Sequence, residues 1–121
     1  MRSKFEADVA SDLAARGVSF QYEKRRMTYE LPRTYIPDFE LMNGIIIEAK
    51  GWFKPSDRTK MLEVKLAHPD ADIRFVFQNP GLRIGGMKSA TYAQWAERNG
   101  FPWAKGTVPA EWTTEKGKSD G

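Results

Sequence analysis

The tightest constraint on this chain is a turn. Asn43-Gly44 separates residues 39–41 from residues 45–50, and Phe39, Leu41, Ile45, Ile46 and Ile47 lie on either side of it. Asn-Gly between apolar residues is a strong hairpin signal, because both residues tolerate the positive φ of a tight turn. Loop length then decides which side chains share a face. With a two-residue loop, Met42 pairs with Ile45, Asp38 faces Ala49, and Glu48 points to the opposite side. With a three-residue loop over 42–44 and Gly44 left-handed, Leu41 pairs with Ile45 and Asp38 lies opposite Glu48 on the same face. The longer loop gathers Phe39, Leu41, Ile45, Ile47 and Ala49 on one face. It leaves Asp38, Glu40, Glu48 and Lys50 on the other, outward face, with Ile46 as the exception. The shorter loop mixes Phe39 with Glu48. A one-residue slip exchanges the faces of a strand, so core burial selects the three-residue loop.

The selected register has a chemical consequence. Directly opposed carboxylates on a sheet repel each other. A divalent cation between Asp38 and Glu48 removes that cost, polarises a phosphoryl oxygen and lowers the pKa of a bound water. Lys50 returns to the same face two residues after Glu48. It can stabilise charge developing on a phosphate, or orient and help deprotonate the attacking water. Pro37-Asp38 followed by Glu48-Ala49-Lys50 therefore reads as half of a nuclease signature. A second metal needs another carboxylate, and Glu6 is the candidate. Glu6 is equally accounted for as the N3 residue of a capping box opened by Ser3.

Composition narrows the metal. The chain has 121 residues, no cysteine and one histidine, His68, so disulfides and thiolate sites are excluded and metal ligation falls to oxygen. Oxygen ligands suit Mg²⁺, Mn²⁺ or Ca²⁺. No run approaches the length of a membrane span and no signal-peptide pattern opens the chain, so a cytoplasmic protein is expected. The formal charge is only +3. With several acids committed to a metal, however, the remaining surface is more basic, and clusters at Lys24-Arg25-Arg26, at residues 50–60 and at residues 116–118 fit a nucleic-acid partner.

Along the chain, Phe5, Val9 and Leu13 mark a helix between the Ser3 cap and Gly17. Alternation predicts strands at 18–22, 27–31 and 35–41, and a fourth at 45–50. Pro55-Ser56 opens a helix to residue 67 with Met61, Leu62, Lys65 and Leu66 on its buried side. Residues 73–77 form a near-continuously apolar, central strand. Thr91 to Gln94 repeats the capping-box pattern and starts a helix that stops at Gly100. His68 reads as a helix end, Trp52 and Phe53 as core, and Trp95, Trp103 and Trp112 as core or interface. The order predicts one α/β domain with a mixed sheet flanked by helices.

An ordered set of further matches extends the signature: Ser3-Lys4-Phe5-Glu6, Phe20-Gln21-Tyr22-Glu23, Tyr35-Ile36-Pro37-Asp38-Phe39, Asn43-Gly44-Ile45, Glu48-Ala49-Lys50-Gly51, His68-Pro69, residues 72–77 and Pro109-Ala110-Glu111-Trp112. On these residues the chain resembles the bacteriophage endonuclease I family of Holliday junction-resolving enzymes, in the restriction-endonuclease-like superfamily. The resemblance implies a Mg²⁺-dependent endodeoxyribonuclease, with Mn²⁺ as a substitute, that cuts branched DNA by paired nicks in the phage-infected cell. It implies that Asp38, Glu48, Glu6 and the Ala49 carbonyl hold metal, and that Lys50 assists catalysis.

It also implies an intertwined homodimer. One nuclease domain spans 1–121, about 1–31 is exchanged with the partner so that Glu6 acts in trans, and 113–121 is a frayed tail. The crossover near Leu31-Pro32-Arg33 and the basic tail are both short beside the family's. Phosphate contacts are expected from Arg2, Lys4, Lys24, Arg25, Lys54, Arg58 and Lys60. The rival readings are a nicking or mismatch nuclease of the same superfamily and a non-catalytic junction-binding protein. The intact Asp38, Glu48 and Lys50 set speaks against the second.

Overall fold

The computed structural model describes residues 3–29 and 33–117. The Ser3 hydroxyl accepts from the Glu6 N–H (3.0 Å) and starts helix α1, Lys4–Ala15. Gly17 follows its end with φ +70°, a conformation that glycine adopts without a Cβ penalty. Then come β1 (Phe20–Tyr22), β2 (Met27–Tyr29), β3 (Arg33–Tyr35), β4 (Phe39–Leu41) and β5 (Ile46–Lys50). Helix α2 (Pro55–Ala67), β6 (Ile73–Phe77), α3 (Tyr92–Arg98), β7 (Trp103–Lys105) and α4 (Ala110–Thr114) complete the chain. The main sheet has the order β1-β4-β5-β6-β7, antiparallel from β1 to β5 and parallel from β5 to β7, while β2 and β3 pair as a separate ribbon.

The hairpin register follows the pattern of apolar residues. Phe39 pairs with Ile47 and Glu40 with Ile46. Leu41 N–H donates to Ile45 O and Gly44 N–H to Leu41 O, both at 2.9 Å, and Gly44 sits at φ +88°. The loop is residues 42–44. Phe39, Leu41, Ile45, Ile47 and Ala49 join Val9, Ala10 and Leu13 of α1 in one core layer. Full burial of a side chain such as Phe39 or Ile47 stabilises by roughly 1.5–3 kcal/mol, so a slip that turned this set over would be strongly disfavoured.

The opposite face is not outward, as the sequence had implied. Ile46 packs there with Phe53, Met61, Val64, Phe75, Phe77 and Trp95, under α2 and α3. Both faces of the sheet are therefore covered, and Asp38 and Glu48 are buried rather than solvated. The expected strand over 35–41 is two strands in different sheets. Pro37 has no N–H to give to a ladder, and the chain leaves one sheet at Tyr35 and enters the other at Phe39.

Three apolar assignments also change. Helix α2 buries Met61 and Val64, while Leu62 and Leu66 face solvent. Phe53 is buried but Trp52 is exposed. The short elements β7 and α4 had no strong periodicity to announce them. Beyond α4, Asn43 Nδ2 donates to Trp112 O (2.8 Å) and Glu115 O (2.7 Å), so residues 113–115 remain joined to the hairpin loop. Arg2, Leu31, Pro32 and residues 118–121 lie outside the described residues.

Candidate active site

Asp38 stands where the chain enters β4, and Glu48 and Lys50 occupy the last turns of the pleat in β5. Each acid is held by the other's strand. Asp38 N–H donates to Glu48 Oε2 (3.0 Å), and Ala49 N–H donates to Asp38 Oδ2 (3.0 Å). The Tyr35 hydroxyl donates to the same Glu48 Oε2 (2.8 Å). Lys50 Nζ lies 3.6 Å from Glu48 Oε1 and 3.8 Å from Asp57 Oδ1. Asp57 also accepts from Lys54 N–H (3.1 Å) at the start of α2, so one carboxylate ties the helix end to the lysine.

Glu6 approaches from α1. Its backbone completes the Ser3 cap, but its carboxylate turns inward, where Oε2 accepts from the Tyr22 hydroxyl (2.8 Å), and the residue is buried. Helix capping therefore accounts for the Glu6 backbone and not for its side chain. Glu6, Glu23 and Asp38 each offer a carboxylate oxygen within 4.8 Å of the others, a group of three acids that could hold a metal ion.

Glu23 was not foreseen. Simple alternation in β1 assigns it to solvent, yet it adopts φ +51° and its N–H donates to Asp38 O (3.3 Å). The pairing of Tyr22 with Phe39 brings Glu23 beside Asp38, and only the β1–β4 register reveals it. Tyr35, Tyr22 and Asp57 were missed for the same reason: their roles depend on contacts between strands and helices distant in sequence.

The electrostatics suit a cation. Burial, reinforced by the neighbouring Glu48 charge, pushes the Asp38 carboxyl up to about 8, although Lys50 pulls the other way. Burial and then Glu48 push the Tyr35 phenol well above its usual value, which keeps it a donor. Buried carboxylates with no sulfur ligand among them could serve as the donor set of a hard divalent ion.

In front of these groups opens a cleft of about 640 Å³, lined by Glu6, Ala49 and Lys50 and rimmed by Lys4, Lys54 and Lys60. Asp38 and Glu48 are buried and do not line it. Of the expected phosphate-binding residues, the cleft thus gathers Lys4, Lys54 and Lys60. Lys24 is exposed on the β1–β2 connection. Arg25 is paired with Glu40 (2.6 Å), and Arg58 donates to Phe53 O (2.8 Å), so both brace the fold.

Residues 1–120 match the family model described as phage endonuclease I. The chain belongs to the phage endonuclease I family. It is 37% identical over 120 residues to Endonuclease I of Escherichia phage T7, covering 97% of this chain and 80% of that protein. It is 36% identical over 120 residues to Endodeoxyribonuclease 1 of Enterobacteria phage T3, covering 97% of this chain and 79% of the relative. In this member of the family, Tyr35 and the Asp38 N–H meet on Glu48, and Glu6 comes close to Asp38.

Proposed function

We propose that this protein is a Mg²⁺-dependent endodeoxyribonuclease that resolves four-way and other branched DNA junctions by paired phosphodiester hydrolysis. The observation that carries the reading is the convergence of Asp38, Glu48, Lys50 and Glu6 beside a cleft that Lys4, Lys54 and Lys60 also line. The names of the phage T7 and T3 relatives, Endonuclease I and Endodeoxyribonuclease 1, support an endodeoxyribonuclease.

A bound Mg²⁺ would supply charge neutralisation, polarisation of the phosphoryl oxygen and a water of lowered pKa. Asp38, Glu48, Glu6 and the Ala49 carbonyl would hold it, with Mn²⁺ as a substitute. The protein's own groups do the rest. Tyr35 and the Asp38 N–H fix Glu48 Oε2, which leaves the other oxygen directed toward Lys50. Lys50 sits at the cleft and offers its positive charge to the scissile phosphate or a proton-transfer path to the attacking water. Lys4, Lys54 and Lys60 attract the flanking phosphates.

The proposal includes a homodimer in which residues 1–31 are exchanged, so that Glu6 enters the partner's site. In the single chain, α1 and β1 pack on β5 and β4. The same contacts can be made by a partner's copy if the β2–β3 ribbon opens. Two sites on a two-fold axis suit a junction with two equivalent strands to cut. No helix among the described residues is long and apolar enough to cross a membrane, and action in the cytoplasm of a phage-infected cell is part of the proposal.

Incubation with a labelled four-way junction and a matched linear duplex, in Mg²⁺ and in Ca²⁺, tests the reading. Preferential Mg²⁺-dependent cutting of the junction is expected. Equal cutting of both DNAs would remove junction selectivity, and tight junction binding without cutting would leave a binding protein.

A further inference from the structure

Trp52 differs from the chain's other tryptophans. Trp95 is buried, and Trp103 and Trp112 are half-buried against the cores, but Trp52 is 72% exposed. Its neighbour Phe53 turns the other way and packs edge-on to Tyr92 and Trp95 at 5.6 and 4.9 Å between ring centroids. Consecutive residues of the bend after β5 thus send one ring into the core and one to the surface. The surface position is specific: Trp52 lines the same cleft as Glu6 and Lys50. Lys54 Nζ lies over its ring, 5.5 Å from the centroid. Exposing a whole indole forgoes its burial energy, so packing does not explain the placement.

An open aromatic ring among lysines, beside a cleft, is the chemistry that binds unstacked nucleobases: the ring stacks on a base and the ammonium groups meet the backbone. We propose that Trp52 is a stacking platform for a nucleobase whose face is exposed where DNA helices branch or end, next to the phosphate that is cut. The proposal rests on the nuclease reading above and adds a residue that selects among substrates. Continuous duplex presents no free base face, so Trp52 adds affinity only where stacking is interrupted. Its position two residues after Lys50 ties that recognition to the catalytic lysine.

The test combines Trp52→Ala and Trp52→Phe with Glu48→Ala to prevent cutting, and uses a junction carrying 2-aminopurine at the branch point. Circular dichroism checks folding. For Trp52→Ala we expect roughly tenfold weaker junction binding, from the loss of one base–aromatic stack, with unchanged affinity for linear duplex. The 2-aminopurine quenching seen with Trp52 should disappear, and Trp52→Phe should restore most of both signals. With Glu48 intact, Trp52→Ala should slow junction cutting. Unchanged affinity and quenching in Trp52→Ala would overturn the stacking role while the nuclease reading stood. So would altered sedimentation with unchanged DNA binding, which would make the ring a contact between copies of the chain. An unsubstituted protein that neither binds nor cuts the junction would remove the nuclease reading and this proposal together.

Discussion

Asp38 and Glu48 are locked through each other's strands: the Asp38 N–H holds a Glu48 carboxylate oxygen, while the N–H following Glu48 holds an Asp38 oxygen, both at 3.0 Å. The two acids are opposed across the hairpin, yet backbone donors fix one oxygen of each. This geometry keeps the two carboxyl groups close, and a cation between them would relieve the cost of ionising both.

The first prediction follows from that lock. Asp38→Ala or Glu48→Ala should lower Mg²⁺-dependent junction cutting by more than about 10²-fold, with junction binding kept within a few-fold because Lys4, Lys54 and Lys60 remain at the rim. Glu48→Gln keeps the shape and an acceptor for Tyr35, and separates loss of chemistry from loss of fold. Cleavage gels and mobility shifts on the same junction measure both quantities. Cutting near the wild-type rate would exclude these carboxylates from the site.

Stability should depend on pH through Asp38. Its folded pKa is raised from 3.8 to about 8, so between those values the folded state binds more protons than the unfolded one. The resulting stability is fully present below the unfolded value and is lost as pH rises through about 8. In chelator-treated protein, Tm should therefore fall from pH 5 toward pH 8, and Asp38→Asn should flatten the profile. Added Mg²⁺ should raise Tm most at the alkaline end, where the carboxylate is charged. A flat profile in the unsubstituted protein would contradict this account.

Tyr35→Phe removes the hydroxyl that donates to Glu48 Oε2 and leaves the ring in its buried position. Stability should change by about 1 kcal/mol. Metal affinity or cutting should fall by about 10–100-fold, the usual effect of losing a hydrogen bond that orients a metal-binding carboxylate. Calorimetric Mg²⁺ titration, compared with single-turnover cutting, would show whether the loss appears in binding.

Mixing subunits tests the exchange. If α1 serves the partner's site, co-refolded Glu6→Ala and Asp38→Ala chains build one intact site per heterodimer. The mixture should nick junctions, whereas each variant alone should be inactive. In a dimer without exchange each subunit keeps its own defect, and no activity returns.

Much of the fold was legible because local rules carried it. Ser3 and Thr91 start helices with their hydroxyls, Gly17 and Gly44 take positive φ, and residues 55–67 and 73–77 form the elements their patterns predict. The hairpin is the best case. Of the two loop lengths, the one over residues 42–44 separates apolar from acidic residues, Ile46 apart, and it places Asp38 beside Glu48. The misplaced apolar side chains share one cause. Leu62, Leu66 and Trp52 are apolar residues whose burial depends on what lies opposite them, and that is set by the other elements of the fold.

The amino-acid pattern alone determined the strand pairing around Asn43-Gly44, and with it the nearness of two acids and a lysine, because those residues interact across a few positions of chain. Tertiary structure decided that both sheet faces are covered, so those acids are buried and the Asp38 carboxyl rises to about 8. It also decided which distant groups attend them: Tyr35 on Glu48, Tyr22 on Glu6, Asp57 near Lys50, and Glu23 beside Asp38. These contacts arise from the order β1-β4-β5 and from helices laid on opposite faces. Desolvation and Coulomb forces act on distance in space, and no spacing along the chain records that distance for groups on separate elements.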